Sequence, residues 1–349
     1  MQQLVTGLLK SIVHPETGEN IVDGGFVENV TATDEKITIS LLFKKARDPF
    51  AVKIKGQVQT LLENRFPALK EASAITIFIK EGAPAKPKVE KRTTTGSIHN
   101  IVAIASGKGG VGKSTVTANL AVTLRDMGYR VGLLDADIYG PSQPKMFGCE
   151  GYLPDAVQVD GFDYIVPAEV AGIKLISIGF FIKPTDALIW RGTMACNALR
   201  QLIHQTQWGE LDYLLIDLPP GTGDIHLSII SELKISGAVI VSTPQQVAVA
   251  DVVRGVEMFR NDNVNIPVLG IVENMAWFTP AELPNNRYYI FGQGGAENYA
   301  AECGVDFLGH IPIIQSVMEG GDRGIPAASS DSAVGEYYQH IAQKVVEKL

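Results

Sequence analysis

At 349 residues, with 46% apolar side chains, 35 glycines and only 19% charged residues, the chain has a globular α/β profile and not a disordered one. A formal net charge of −8 gives no bulk attraction to nucleic acid or to an anionic membrane, so neither is expected as a partner. Three scattered cysteines, no apolar run of membrane-spanning length and no leader-like opening lead to the expectation of a cytoplasmic protein without disulfides.

In chain order, "LVTGLLKSIV" reads as a helix, and "FVENVTATDEKITISLLF" as two strands around an Asp-Glu turn. "PFAVKIKGQVQTLLENRF" follows as a helix and "SAITIFIK" as a third strand. Residues 1–81 are thus expected to form a small α+β domain. Residues 82–98, rich in Pro, Lys and Thr and without apolar periodicity, read as a linker. From residue 99 to 349 the pattern changes. "NIVAIAS", "YRVGLLDAD", "LDYLLIDLP", "SGAVIVSTP" and "IPVLGIVEN" are near-continuous apolar runs, as in parallel strands buried on both faces. "STVTANLAVTLRDMG" and "AVADVVRGVEMFR" lie between them with helical spacing. The expectation is an α/β fold, a doubly wound parallel sheet with ligands at the C-terminal strand ends.

The chemistry-bearing motifs fall at those ends. "GKGGVGKS", Gly107 to Ser114, follows an apolar strand and opens an amphipathic helix. Backbone N–H groups of Gly107, Lys108, Gly109, Gly110, Val111, Gly112, Lys113, Ser114 and Thr115 can cradle phosphate oxygens there. The helix N-terminus adds partial positive charge. Lys113 is placed to reach the β- and γ-phosphates, and Ser114 to ligate Mg²⁺. Asp135 and Asp137, at i and i+2 past the second strand, share one side of an extended chain. Asp137 is the candidate for orienting the attacking water and Asp135 for the outer shell of the metal; a capped strand–loop junction is the alternative. Asp217 ends the apolar run "LLID" at a Walker B-like position for a water-mediated metal contact. Gly221, in the rigid turn "PPGTG", offers an N–H that can sense the γ-phosphate. Together these residues describe a Mg-dependent P-loop nucleoside triphosphatase, and the resemblance below implies that the nucleotide is ATP.

Lys108 adds a family signal, since an extra lysine early in the loop resembles the deviant Walker A motif of MinD-like ATPases. "SGKGGVGKSTVTANLA", "LLDADIYGPSQP", "WRGTM", "LLIDLPPGTGD", "STPQQVAVADVVRG", "ENMAWF" and "IFGQGGAENYA" together resemble the Mrp/ApbC family of iron–sulfur cluster carrier ATPases. Residues 1–80 resemble the PaaD-like assembly domain that precedes the ATPase in many members. The resemblance implies a homodimer with ATP between subunits and Lys108 reaching the partner's nucleotide. It also implies delivery of a cluster to apoproteins, or work with an assembly scaffold. On the same ground Asn274, in "VENM", is expected to pair with the adenine edge, with "IPIIQSVMEGGDRGIP" as a second loop over the base or ribose.

One stretch departs from the family. After "ENMAWF" the resemblance implies a Cys-x-x-Cys pair, two of which in a dimer would hold a bridging [4Fe–4S] cluster. Residues 279–290 here read "TPAELPNNRYYI", with no soft ligand. Cys149, Cys196 and Cys303 lie elsewhere, and "KKARDPFAV" shows Asp-Pro-Phe where relatives often carry Cys-Pro. Three readings follow: a cluster-assembly ATPase, a MinD- or ParA-like spatial organiser, and a non-catalytic nucleotide-gated adaptor. The first accounts for the whole chain. The C-terminal "EYYQHIAQKVVEKL" is mildly amphipathic and reads most simply as a helix packed on the sheet.

Overall fold

The computed structural model describes residues 1–349 except 16–17, 19, 34, 44–49, 83–93, 160–161, 182–191 and 330–331. The chain divides into two compact units, Met1–Lys91 and Arg92–Leu349. The Asp-Pro of "KKARDPFAV" and the opening Trp-Arg of "WRGTM" lie outside the described residues.

In the first unit, α1 (Gln2–Leu9), β1 (Val27–Ala32), β2 (Ile37–Phe43), α2 (Ala51–Arg65), α3 (Pro67–Glu71) and β3 (Ile75–Glu81) follow one another. β1 pairs antiparallel with β2, and β2 parallel with β3. The alternation of "ITISLLF" puts Ile37, Ile39, Leu41 and Phe43 in the core, against Ile54, Val58 and Leu62 at helical spacing on α2. The short α3 had no sequence signal beyond Pro67 at its start.

The second unit begins before residue 99. Ser97 Oγ donates to the Gly209 carbonyl at 2.6 Å, and Ile98 already pairs with Leu211. Residues 94–98 of the predicted linker therefore belong to this unit. Its elements are β4 (Ile98–Ala105), α4 (Lys113–Asp126), β5 (Val131–Asp135), α5 (Gln143–Met146), a hairpin of β6 (Ala156–Val159) and β7 (Phe162–Ile165), then β8 (Ala168–Val170) and β9 (Ile173–Ser177). α6 (Gly192–Gln205), β10 (Leu211–Asp217), α7 (Asp224–Glu232), β11 (Gly237–Ser242) and α8 (Gln246–Arg260) continue it. β12 (Val268–Phe278), α9 (Gly295–Cys303), β13 (Phe307–Ile313), α10 (Gln315–Arg323) and α11 (Ser332–Val346) complete it. The eight-stranded sheet runs β13-β12-β11-β4-β10-β5-β9-β8, parallel except for β8. β5, β10 and β11 are buried along their whole length but for one half-buried residue, which is why they are apolar without alternation.

Two expectations are corrected here. "IPIIQSVMEGGDRGIP" is no loop: it is the end of β13 followed by α10, a strand masked in sequence by Gly309, His310 and Pro312. β12 also runs four residues beyond "VEN". An irregularity with Met275 at φ +57° re-aims the chain, and mutual backbone hydrogen bonds join Phe278 and Tyr288 (2.9 and 2.8 Å) across the loop. On α11, Tyr338, Ile341, Ala342 and Val345 are fully buried against neighbours that include α4 and β13, as expected of a helix packed on the sheet.

Candidate functional site: a phosphate loop beside an apolar cavity

β4 delivers the chain into the loop 106–112, and α4 begins at Lys113. Gly112 adopts φ +81°, and a Cβ there would stand 2.2 Å from the Asn274 side-chain nitrogen, so any other residue is strained and must displace Asn274. The loop walls a cavity of about 220 Å³ lined by Lys108, Lys113, Ser114, Asp137 and Pro220 among others. Lys108 is exposed; Lys113 is 5% exposed.

The carboxylates converge because of sheet register. Asp135 and Asp217 are direct neighbours at the ends of parallel β5 and β10, so their side chains leave one face together. Both are fully buried. The Lys113 ammonium donates to Asp217 Oδ1 and, at 3.2 Å, to Ser114 Oγ. Thr117 Oγ1 reaches Asp217 Oδ1 at 3.3 Å. Asp135 accepts from the Asp137 and Gln143 amides (3.2 and 3.1 Å) and from Ser177 Oγ (2.9 Å). Burial, and then the charge of Asp217, push Asp135 up to about 7. Burial also pushes Asp137 up, and its carboxylate accepts from the Gly140 amide at 3.2 Å.

The turn after β10 is tied to the phosphate loop. The Gly221 N–H donates to the Ser106 carbonyl at 2.9 Å. In this structure it is thus engaged within the protein, and contact with a phosphate requires that bond to break. His226 on α7 is buried, and burial pushes its imidazole pKa down, so it stays neutral. Its Nε2 lies 2.8 Å from the Pro219 carbonyl, a pure acceptor, so Nε2 carries the proton and pins the turn to α7.

Next to the phosphate loop lies a second cavity of about 500 Å³ that shares Gly112, Thr115 and Met146 with the first. Met275, Phe291, Ile311, Ile313 and Val317 give it apolar walls. Asn274 lines it and spends one amide N–H on the Val111 carbonyl (2.8 Å). Its Oδ1 and second N–H remain as its polar handle. Glu273, the preceding residue, does other work: it accepts from the Ala296 amide at 2.8 Å and so caps α9.

Gln143 was not singled out in the sequence. It is fully buried, and its Nε2 donates both to Asp217 Oδ2 (2.8 Å) and to the Ser114 carbonyl (3.0 Å). The available signal was an amide six residues beyond Asp137 in "GPSQP", ahead of a helix-starting proline.

Comparison with known proteins decides the family. Residues 97–346 match the NUBPL iron-transfer P-loop NTPases, and residues 2–74 match a family described as iron–sulfur cluster assembly protein. The chain belongs to the NUBPL-type iron-transfer P-loop NTPases. It is 38% identical over 350 residues to the iron–sulfur cluster carrier protein of a Synechocystis strain, covering 99% of this chain and 97% of that one. It is 48% identical to the Aquifex aeolicus protein of the same name, over 74% of this chain and 70% of that one. Among solved structures, a nucleotide-binding protein from Archaeoglobus fulgidus in complex with ADP shares 40% identity and a TM-score of 0.57, over 67% of this chain and 89% of that one. MinD from Pyrococcus horikoshii, at 23% identity and TM-score 0.51 over 71% of this chain and 96% of that one, shares the fold.

Within this iron-transfer NTPase the cysteines do not assemble. Cys149 follows α5, Cys196 sits on α6 and Cys303 ends α9, where its thiol points to the Ala300 carbonyl at 3.6 Å. Burial pushes the Cys149 thiol up to about 11. Among the described residues, no group of three or more His, Cys, Asp or Glu side chains is placed to hold a metal ion through its own side chains. No helix among them is long and apolar enough to cross a membrane.

Proposed function

We propose that the protein is a Mg²⁺-dependent ATPase of iron–sulfur cluster assembly, acting as a homodimer that serves apoproteins or a scaffold. The observation that carries this is the adjacency of two cavities that share Gly112, Thr115 and Met146: one lined by Lys108, Lys113, Ser114 and Asp137, the other apolar and bordered by Asn274. The first suits a polyphosphate and the second a purine. Asn274 Oδ1 can accept from the adenine amino group, which a guanine carbonyl at the same place could not offer. Ser114 Oγ, Asp135 and Asp217 are hard oxygen donors, which suits Mg²⁺, and the buried Gln143 Oε1 lacks a hydrogen-bond partner. Bound there, the metal would neutralise charge developing on the phosphates.

The remaining steps belong to the chain itself. Lys113 exchanges Asp217 for the phosphate oxygens, and Asp217, so released, would help to hold the metal. Asp137 orients the attacking water. Lys108, exposed at the mouth, supplies charge to the nucleotide of a second subunit. Loss of the γ-phosphate frees Gly221 to return to Ser106, and His226 transmits that movement to α7.

The cluster is cargo. Residues 279–290 offer no thiolate, and the three cysteines stand on separate elements, so the thiols come from a partner protein. The test is anaerobic reconstitution with iron and sulfide, alone and with an apoprotein acceptor, alongside ATP turnover. ATP turnover with no chromophore on the isolated protein supports this reading. A stable chromophore lost on substituting Cys149, Cys196 or Cys303 would relocate the ligands to this chain, and absent turnover would refute the ATPase.

A further inference from the structure

The geometry points to Gln143 as the residue that positions the hydrated divalent cation of the nucleotide site. This rests on the Mg²⁺-dependent reading above and extends it to a residue outside the phosphate loop and its carboxylates. Gln143 is fully buried at the start of α5, and three hydrogen bonds fix it. Its backbone N–H goes to Asp135 Oδ2 at 3.1 Å. Its side-chain nitrogen goes to Asp217 Oδ2 at 2.8 Å and to the Ser114 carbonyl at 3.0 Å. Both side-chain partners are pure acceptors, so they must face the NH₂ end of the amide, and its orientation follows.

That orientation leaves Oε1 buried and without a hydrogen-bond partner. Protein interiors seldom leave a carbonyl in that state without a reason. Here Gln143 stands between the two buried carboxylates and beside Ser114, the donors assigned to the cation. Mg²⁺ keeps several of its waters when bound by one or two protein oxygens, and each water has protons to place. Gln143 Oε1 is a neutral acceptor on the amide whose other end bonds Asp217 and the Ser114 carbonyl, and it accepts a hydrogen bond from one such water. The NH₂ end meanwhile holds Asp217 against the first turn of α4. One amide thus serves as clamp for the carboxylate and as acceptor for the metal-bound water.

Gln143→Met removes both functions at similar volume; Gln143→Glu keeps an acceptor oxygen and loses the clamp. The full chain is titrated with a fluorescent ADP analogue in Mg²⁺ and in EDTA, and the ratio of the two affinities is read for each protein. In wild type, Mg²⁺ tightens binding. In Gln143→Met that gain falls by about tenfold, the usual cost of losing an outer-shell partner, while affinity in EDTA changes by less than about twofold. In Gln143→Glu the Mg²⁺ gain is kept or increased, while the added negative charge near the phosphates lowers affinity in EDTA. Tryptophan fluorescence checks that each variant is folded. Should the methionine variant not fold, the glutamate variant decides alone: a spacer role predicts equal losses in Mg²⁺ and EDTA. Retention of the wild-type ratio in Gln143→Met overturns the assignment and leaves the metal reading intact. A wild-type protein indifferent to Mg²⁺ overturns the metal reading itself.

Discussion

Lys113→Met should unfold the nucleotide-free protein more easily, a cost separate from its loss of ATP binding. Lys113 is 5% exposed and Asp217 is fully buried, so the pair is a true interior ion pair. Removing one partner of such a pair costs about 3–5 kcal/mol, because the other charge stays behind without its counterion. Asp217 would keep Gln143 Nε2 at 2.8 Å and Thr117 Oγ1 at 3.3 Å, which puts the expected loss near the lower end, about 3 kcal/mol. For a unit of this size that corresponds to a fall in Tm of roughly 6–12 °C. Lys113→Met/Asp217→Asn removes both charges of the pair and should recover to within about 1 kcal/mol of wild type while remaining unable to bind nucleotide. All three tryptophans, Trp190, Trp208 and Trp277, lie in the second unit, so their fluorescence follows its melting alone. A Lys113→Met protein that melts within about 1 °C of wild type would refute the pair, and with it the exchange of Lys113 between Asp217 and phosphate.

Asp135, raised to about 7 mainly by burial, holds a proton in the folded state between about pH 4 and 7 that the unfolded chain has released. Stability without metal or nucleotide should therefore fall as pH rises through that window, by up to about 1.4 kcal/mol per unit, and Asp135→Asn should remove this slope in urea unfolding followed by tryptophan fluorescence. Both Gly110 and Gly112 have positive φ, but only Gly112 has a neighbour in the way of a Cβ. Gly110→Ala should cost about 1 kcal/mol and Gly112→Ala clearly more, with Asn274 displaced from Val111; equal thermal melts would contradict the packing. Cys149, at about 11 against an ordinary 9, should alkylate with iodoacetamide at pH 8 about a hundredfold more slowly than a free thiol, checked by mass spectrometry. Lys108→Ala should cut steady-state ATP turnover by about a hundredfold or more while nucleotide affinity holds; unchanged turnover removes the charge supplied across the dimer.

Much of this site was readable because its motifs are local. The phosphate loop needs consecutive glycines between a strand and a helix, and the strands carrying Asp135 and Asp217 are unbroken apolar runs. That the two carboxylates are adjacent is another matter. It depends on β10 pairing with both β4 and β5, a crossover order that local sequence does not encode. Gln143 was missed for the same reason, since its meaning lies in bonds to Asp217, 74 positions away, and to Ser114, 29 away. β8 and β13 occupy the two edges of the sheet, where half-exposed positions dilute the apolar signal, and Pro312 reads locally as a break. Asn274 was expected at the base. Its bond to Val111, which ties the cavity wall to the phosphate loop, is a contact across the sheet that only the fold reveals.

That bond gives β12 its place in the reading of the divergent loop. At Asn274 the strand grips the phosphate loop through Val111. At Glu273 it caps α9. At Phe278 it closes the loop 279–287 through Tyr288, with Arg287 stacked 4.2 Å over Trp277. One continuous strand therefore runs from the nucleotide cavity to the stretch where the resemblance places cluster ligands. Nothing in those contacts requires a thiol: the frame is built from backbone hydrogen bonds, a capped helix and a cation–π stack. Leu283, Tyr288, Tyr289 and Ile290 are exposed on this frame. Under the proposed function, the absence of thiols from residues 279–290 leaves the element that joins this loop to the phosphate loop intact. The proposed nucleotide site and this surface are thus held on one strand, the arrangement that the proposed assembly ATPase working on a partner's cluster requires.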